Sequence, residues 1–157
     1  PHRGDHPLLL APTSSSANWL RLQLASATPA TVTAIGSGCA LGPAPQLATL
    51  AMPRLGEAAF AFDVGTLAPN APTLLLLGLA EQALPLGAGC GLYVASPVGS
   101  VVGVATNGGQ FRQPLPIPND PTLAGVRIHA QAAVLAPAQS LFGTFTLTGA
   151  LRVTIGD

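Results

Sequence analysis

The chain has 157 residues, 48% of them apolar and only 8% charged, and its six Arg, no Lys and six acidic residues balance to a formal charge of zero. No basic field is available to neutralise phosphates, and no apolar run approaches the roughly twenty residues of a membrane helix, so nucleic-acid binding and a helical membrane span are excluded. High hydrophobicity excludes a disordered chain, and the length suits one domain with a real core.

Residues 1–17 differ from the rest. Pro1 to Pro7 is polar and holds two of the three His, Leu8 to Ala11 is apolar, and Thr13 to Ser16 is a small polar linker. A terminus of this kind frays unless something holds it, so it is expected to dock on its own domain or on a neighbouring subunit. The opening Pro1-His2-Arg3, with neither an initiator Met nor a signal peptide, reads as the start of a processed product. Asn18 to Leu24 alternates, with Leu20, Leu22 and Leu24 on one face and Trp19, Arg21 and Gln23 on the other. It predicts a strand, to which Thr31 to Ile35 could pair back as a hairpin.

Downstream, prolines recur too often for helices, and the pattern allows at most one short helical turn near Leu79 to Leu84. Glu57 to Val64 places Ala58, Phe60, Phe62 and Val64 on one face. Thr73 to Leu79 is apolar on both faces and predicts a central strand. Leu92 to Ala95 follows, then Ser100 to Thr106 and Gly109 to Leu115, joined by the hairpin signal Asn107-Gly108. Val126 to Val134 alternates, with Val126, Ile128, Ala130, Ala132 and Val134 facing inward. Arg127, His129 and Gln131 are then expected to face solvent. Gly143 to Leu147 and Ala150 to Ile155 complete the set. Roughly nine or ten short strands punctuated by Pro and Gly predict an all-β fold. The expected form is an antiparallel β-sandwich, Greek-key or jelly-roll-like, over residues 36–157, preceded by an N-terminal extension of residues 1–35.

The two cysteines, Cys39 and Cys90, each follow a Gly and match no CxxC metal or redox spacing. They read as one disulfide closing a loop of about 50 residues, worth roughly 4 kcal/mol in the chain-entropy model. Two buried thiols are the alternative. A disulfide implies an oxidising compartment and hence secretion. None of Asn18, Asn70, Asn107 or Asn119 begins an Asn-x-Ser/Thr site, which leaves only O-linked sugar on Thr13 to Ser16 open.

Several blocks from Gly36 onward stand in a distinctive order. They are Gly38-Cys39, Pro53-Arg54-Leu55-Gly56, Ala68-Pro69-Asn70-Ala71 before Leu74 to Gly78, and Pro85-Leu86 before Gly87-Ala88-Gly89-Cys90. Pro114-Leu115-Pro116-Ile117-Pro118-Asn119-Asp120-Pro121 follows, then Leu123-Ala124-Gly125, Gln131-Ala132 and the closing Leu151-Arg152-Val153-Thr154-Ile155-Gly156. In these blocks the chain resembles a Gly-Cys β-sandwich domain family of secreted proteins from planctomycetes and similar bacteria. The resemblance implies a secreted β-rich module, often C-terminal in surface proteins, with the two Gly-Cys cysteines paired and no catalytic residues. Against that family's pattern, the aromatic-rich stretch before Pro85 is shortened to Ala80 to Leu84.

The residue chemistry assembles no catalytic constellation. His129, between Arg127 and Gln131, reads as a solvated strand residue rather than a base. Glu57 and Asp63 share a strand face, but six residues of strand set them roughly 20 Å apart, too far for a glycosidase pair. Asp120 in its Pro-flanked turn is expected to bond local backbone. His2, Asp5 and His6 are the only group with metal-ligand chemistry, and they read as a solvated tail. Arg3-Gly4-Asp5 matches an integrin-binding tripeptide no better than chance. No enzyme activity, cofactor or metal is therefore expected.

A neutral domain this poor in charge tends to associate, unless its 21 Ser and Thr keep it soluble as a neutral extracellular domain. The expectation is an extracellular structural protein, a self-assembling subunit of a surface fibre or layer whose partners are other copies of itself. The segment Pro1 to Leu24 would add to the next subunit, burying Leu8, Leu9 and Leu10 or Leu20, Leu22 and Leu24, with Trp19 packing against that partner. The alternative is a secreted accessory module that binds glycans or cell-wall polymer through an exposed Trp19.

Overall fold

Prolines at this density leave the backbone few ways to fold other than short strands, and strands are what it forms. The structure, a computed structural model, describes residues 28–65, 67–87, 89–140 and 143–157. The expected strand Asn18 to Leu24, and its hairpin with Thr31 to Ile35, therefore lie outside the described residues. The described strands are β1 (Thr31–Ile35), β2 (Gln46–Thr49), β3 (Ala61–Gly65), β4 (Pro72–Gly78), β5 (Ala80–Gly87) and β6 (Cys90–Ala95). They continue as β7 (Gly99–Val104), β8 (Phe111–Pro114), β9 (Arg127–Leu135), β10 (Phe145–Leu147) and β11 (Ala150–Thr154). One 3₁₀ turn, Pro121–Leu123, is capped by Asp120, whose carboxylate accepts from the Thr122 N–H at 2.9 Å, the local backbone bond expected of it.

The large sheet runs β1-β11-β9-β4-β7, with β10 also on β9, and the small sheet runs β2-β3-β8; every pairing in both is antiparallel. β10 and β11 lie end to end along one side of β9. Leu147 stands opposite Ala133 and Leu151 opposite Ala130, so one extra residue is absorbed between them as a bulge. The Thr148 side chain fills the irregularity by accepting from the Ala132 N–H at 2.9 Å.

The two sheets face each other across one apolar core, which makes the fold an antiparallel β-sandwich. Phe60, Phe62, Val64 and Phe111 come from the small-sheet side and Leu75, Ala130, Ala132, Val134, Leu151 and Val153 from the large sheet. Each fully buried Leu, Val or Phe contributes about 1.5–3 kcal/mol of transfer energy. β4, apolar on both faces, is paired on both sides, by β9 and β7, as expected of a central strand.

A third layer was not legible. β5 and β6 pair as a two-stranded ribbon separate from both sheets. The residues that suggested a helical turn, Leu79 to Leu84, instead lead into and form β5. The signal was blurred because the β5–β6 ladder shifts register twice, between Glu81 and Leu84 and between Pro85 and Gly87. The ribbon lies on the outer face of the large sheet. Its Tyr93 ring fills the space beside Gly36, where a Cβ would come within 2.0 Å of the ring.

Three further expectations are corrected. The Asn107-Gly108 segment turns a corner instead of joining a hairpin: β7 stays in the large sheet with β4, while β8 crosses to pair β3 in the small one. The Phe111 ring directs that crossing by packing on Gly103, where a Cβ would stand 2.1 Å from it. Glu57 to Phe60 is a turn outside β3, because Glu57 Oε1 accepts from the Ala59 N–H at 3.0 Å, and Ala58 is exposed. Thirdly, His129 and Gln131 are buried, at 4% and 0% exposure, because the ribbon covers them.

Candidate functional site

The outer face of the large sheet holds the most informative chemistry. Alternation along β9 sends Ala130, Ala132 and Val134 into the sandwich core and His129, Gln131, Ala133 and Leu135 to the outer face. Register then groups the outward side chains into rows across the strands. Gly78, His129 and Arg152 form one row; Leu76, Gln131 and Ser100 the next. Beyond them come Val102, Leu74, Ala133 and Leu147, and finally Phe145 beside Leu135 and Val104 beside Pro72.

The first half of this face is polar and covered. Gln131 Nε2 donates to Gly91 O at 2.9 Å and to Thr148 O at 3.0 Å, and its Oε1 accepts from the Tyr93 N–H at 2.9 Å. One amide thus ties the ribbon to the sheet through directional bonds. The Cys39–Cys90 disulfide adds a covalent tie, with Cα atoms 5.2 Å apart, and the expected pairing is present. Arg152 binds Glu81 of β5, and His129 Nε2 stands 3.7 Å from the same carboxylate.

Burial lowers the His129 pKa from its ordinary value; Glu81 opposes the shift, while Arg152 and Arg127 add to it. The Arg152 guanidinium holds the Glu81 carboxyl below the usual range. His129 is therefore neutral at pH 7, and its buried Nδ1 has no hydrogen-bond partner. The cluster is suited to fixing the ribbon. Among the described residues no three His, Cys, Asp or Glu side chains converge as metal ligands would. Asp63, on the small sheet, pairs with Arg112 at 3.2 Å.

The second half is apolar and open. Leu74, Leu86, Ala133, Phe145 and Leu147 line a groove of about 250 Å³ between ribbon and sheet. A neighbouring groove of about 180 Å³ carries the lining on to Val102 of β7 and Leu135. Val102 is 75% exposed, Val104 59% and Phe145 49%. Contiguous exposed apolar side chains of this kind mark interaction surfaces in soluble proteins.

The strand bordering this half, β7, is also an edge that no described strand covers. The Ala105 N–H donates to Ala71 O at 2.9 Å, so the odd-numbered residues of β7 bond β4 in the alternating antiparallel ladder. The backbone groups of Ser100, Val102 and Val104 consequently point away from the sheet. Exposed edges are normally blunted by charge, proline, bulges or brevity. β8 carries Arg112 and Pro114, β5 carries Glu81, Pro85 and two register shifts, and β2 has four residues after Pro45. β7, Gly-Ser-Val-Val-Gly-Val, has none of these devices.

Leu8, Leu9, Leu10, Trp19, Leu20, Leu22 and Leu24 lie outside the described residues, as do His2, Asp5, His6 and Arg3-Gly4-Asp5. Leu74, Val102 and Phe145 are not among the contact residues expected from the sequence. Their signal was present in the two-faced apolarity of Thr73 to Leu79 and in the outward valines of β7. No protein family, curated protein or solved structure matches the chain. The resemblance to the secreted Gly-Cys domain family therefore rests on its sequence blocks alone.

Proposed function

We propose that the chain is a non-enzymatic extracellular structural protein, a subunit that self-associates into a surface fibre or layer through strand addition by its N-terminal segment. One observation carries the reading: an apolar half-face of the large sheet borders an edge strand that has no charge or proline and whose outer side pairs with none of the described residues. The neutral, charge-poor composition supports it, since little repulsion opposes contact between copies. The disulfide, with both cysteines engaged, supports an oxidising, extracellular setting.

Electron microscopy and sedimentation of the full chain at micromolar concentration test the proposal. Extended polymers are expected, and removal of residues 1–27 is expected to leave folded monomers. A full-length chain that stays monomeric, or one that binds cell-wall glycan as a monomer and loses that binding on Trp19→Ala, overturns it.

A further inference from the structure

The geometry points to β7 and the apolar half-face beside it as the acceptor site for residues 18–24 of a second copy of this chain. The inference rests on the self-association proposed above and names the partner and the surface.

Three observations select this surface. The outward N–H and C=O groups of Ser100, Val102 and Val104 offer a ladder for one more strand, at the edge of the large sheet opposite β1. Their side chains, with Leu74, continue into the apolar rows, so an added strand finds cross-strand neighbours of its own kind. Residues 18–24 supply the complement, with Leu20, Leu22 and Leu24 on one face of an alternating segment. Leu8, Leu9 and Leu10, eight or more residues upstream of that segment, can reach across to the groove lined by Leu74, Ala133 and Phe145.

The donor must come from another copy. Thr28 is held at the opposite side of the sheet, where its N–H donates to Asp157 Oδ2 and its C=O accepts from the Asp157 N–H, both at 3.0 Å. A strand added outside β7 lies five inter-strand spacings from β1, about 24 Å. The four steps from Leu24 to Thr28 span at most about 14 Å. A chain therefore cannot lay residues 18–24 on its own β7. Donor and acceptor are different patches at opposite edges, so a copy that donates to one neighbour can accept from another, and the contact propagates into a filament where the rotation between copies does not close it.

The test uses the full-length chain and three variants, read by sedimentation velocity with a thermal melt of each. Val102→Pro removes an outward N–H and leaves the bonds to β4 in place. The triple variant Leu20→Ser, Leu22→Ser, Leu24→Ser removes the donor face and alters none of the described residues. Leu79→Ser removes an exposed Leu away from the site. The first two are expected to sediment as monomers with melting temperatures like that of the unaltered chain, and Leu79→Ser to polymerise normally. Mixing the first two is expected to give one-to-one dimers, since each retains the half that the other lacks. Normal polymers from Val102→Pro or from the triple variant, or a mixture that stays monomeric, overturn the acceptor assignment and leave self-association standing. Absence of polymers from the unaltered chain overturns both.

Discussion

The two halves of the large sheet's outer face invert the usual order of burial. At one end, His129 and Gln131 lie beneath a ribbon that seals them from water; at the Leu135–Phe145 end, aliphatic and aromatic side chains stand in solvent. Directional bonds from Gln131 and the Cys39–Cys90 link fix where the ribbon sits, and beside the apolar rows it leaves open the groove that its Leu86 lines. A sandwich that encloses polar groups while exposing Val102, Val104 and Phe145 has its stability invested in one half and its free contact surface in the other.

Three changes separate those roles, the largest first. Gln131→Leu is expected to destabilise the domain by about 3 kcal/mol, because Gly91 O, Thr148 O and the Tyr93 N–H lose their buried partner. Urea unfolding measures it, and an unchanged midpoint would remove the ribbon-fixing role.

The polar half also predicts a pH dependence. The folded-state pKa of His129 lies below its ordinary 6.5, so the unfolded chain binds a proton that the folded chain resists. Stability is expected to fall as pH drops through 6.5. Glu81, also lowered, adds a further loss as pH drops through its ordinary 4.5. His129→Gln should flatten the first of these slopes in thermal melts taken between pH 7.5 and 5.5, given as about two pH units around the His value. Parallel slopes in the two proteins would show that the burial of His129 is not linked to folding.

The smallest effect on stability belongs to the open half. Phe145→Ser should shift the unfolding free energy by no more than about 0.5 kcal/mol, as a surface substitution does, while weakening association strongly. A large loss of stability with association intact would place Phe145 in the core's service instead.

Local signals carried much of this architecture. Thr31 to Ile35 has the bounds expected of it, and β4 declared itself by being apolar on both faces. The cysteine pair was readable because an isolated pair has few uses. What depended on distant chain was not readable. The alternation of Val126 to Val134 correctly assigned the core face, yet which outward residues become buried depends on where the ribbon lands, some 40 residues away from Gln131 in sequence. Asn107-Gly108 marked a turn, but that the next strand leaves the sheet depends on contacts the turn does not show, the Phe111 ring on Gly103 and the pairing of β8 with β3. β2, four residues long, is too short to display a period.

Residue-resolved hydrogen exchange of β7, in the assembled chain and in the monomeric triple-leucine variant, tests the central claim most directly. The amides of Val101 and Gly103 bond β4 and should be protected in both states. The amides of Ser100, Val102 and Val104 should exchange freely in the monomer and become protected on assembly, because an added strand takes up their outward N–H groups. Assembled material in which these three amides exchange as they do in the monomer would contradict the account.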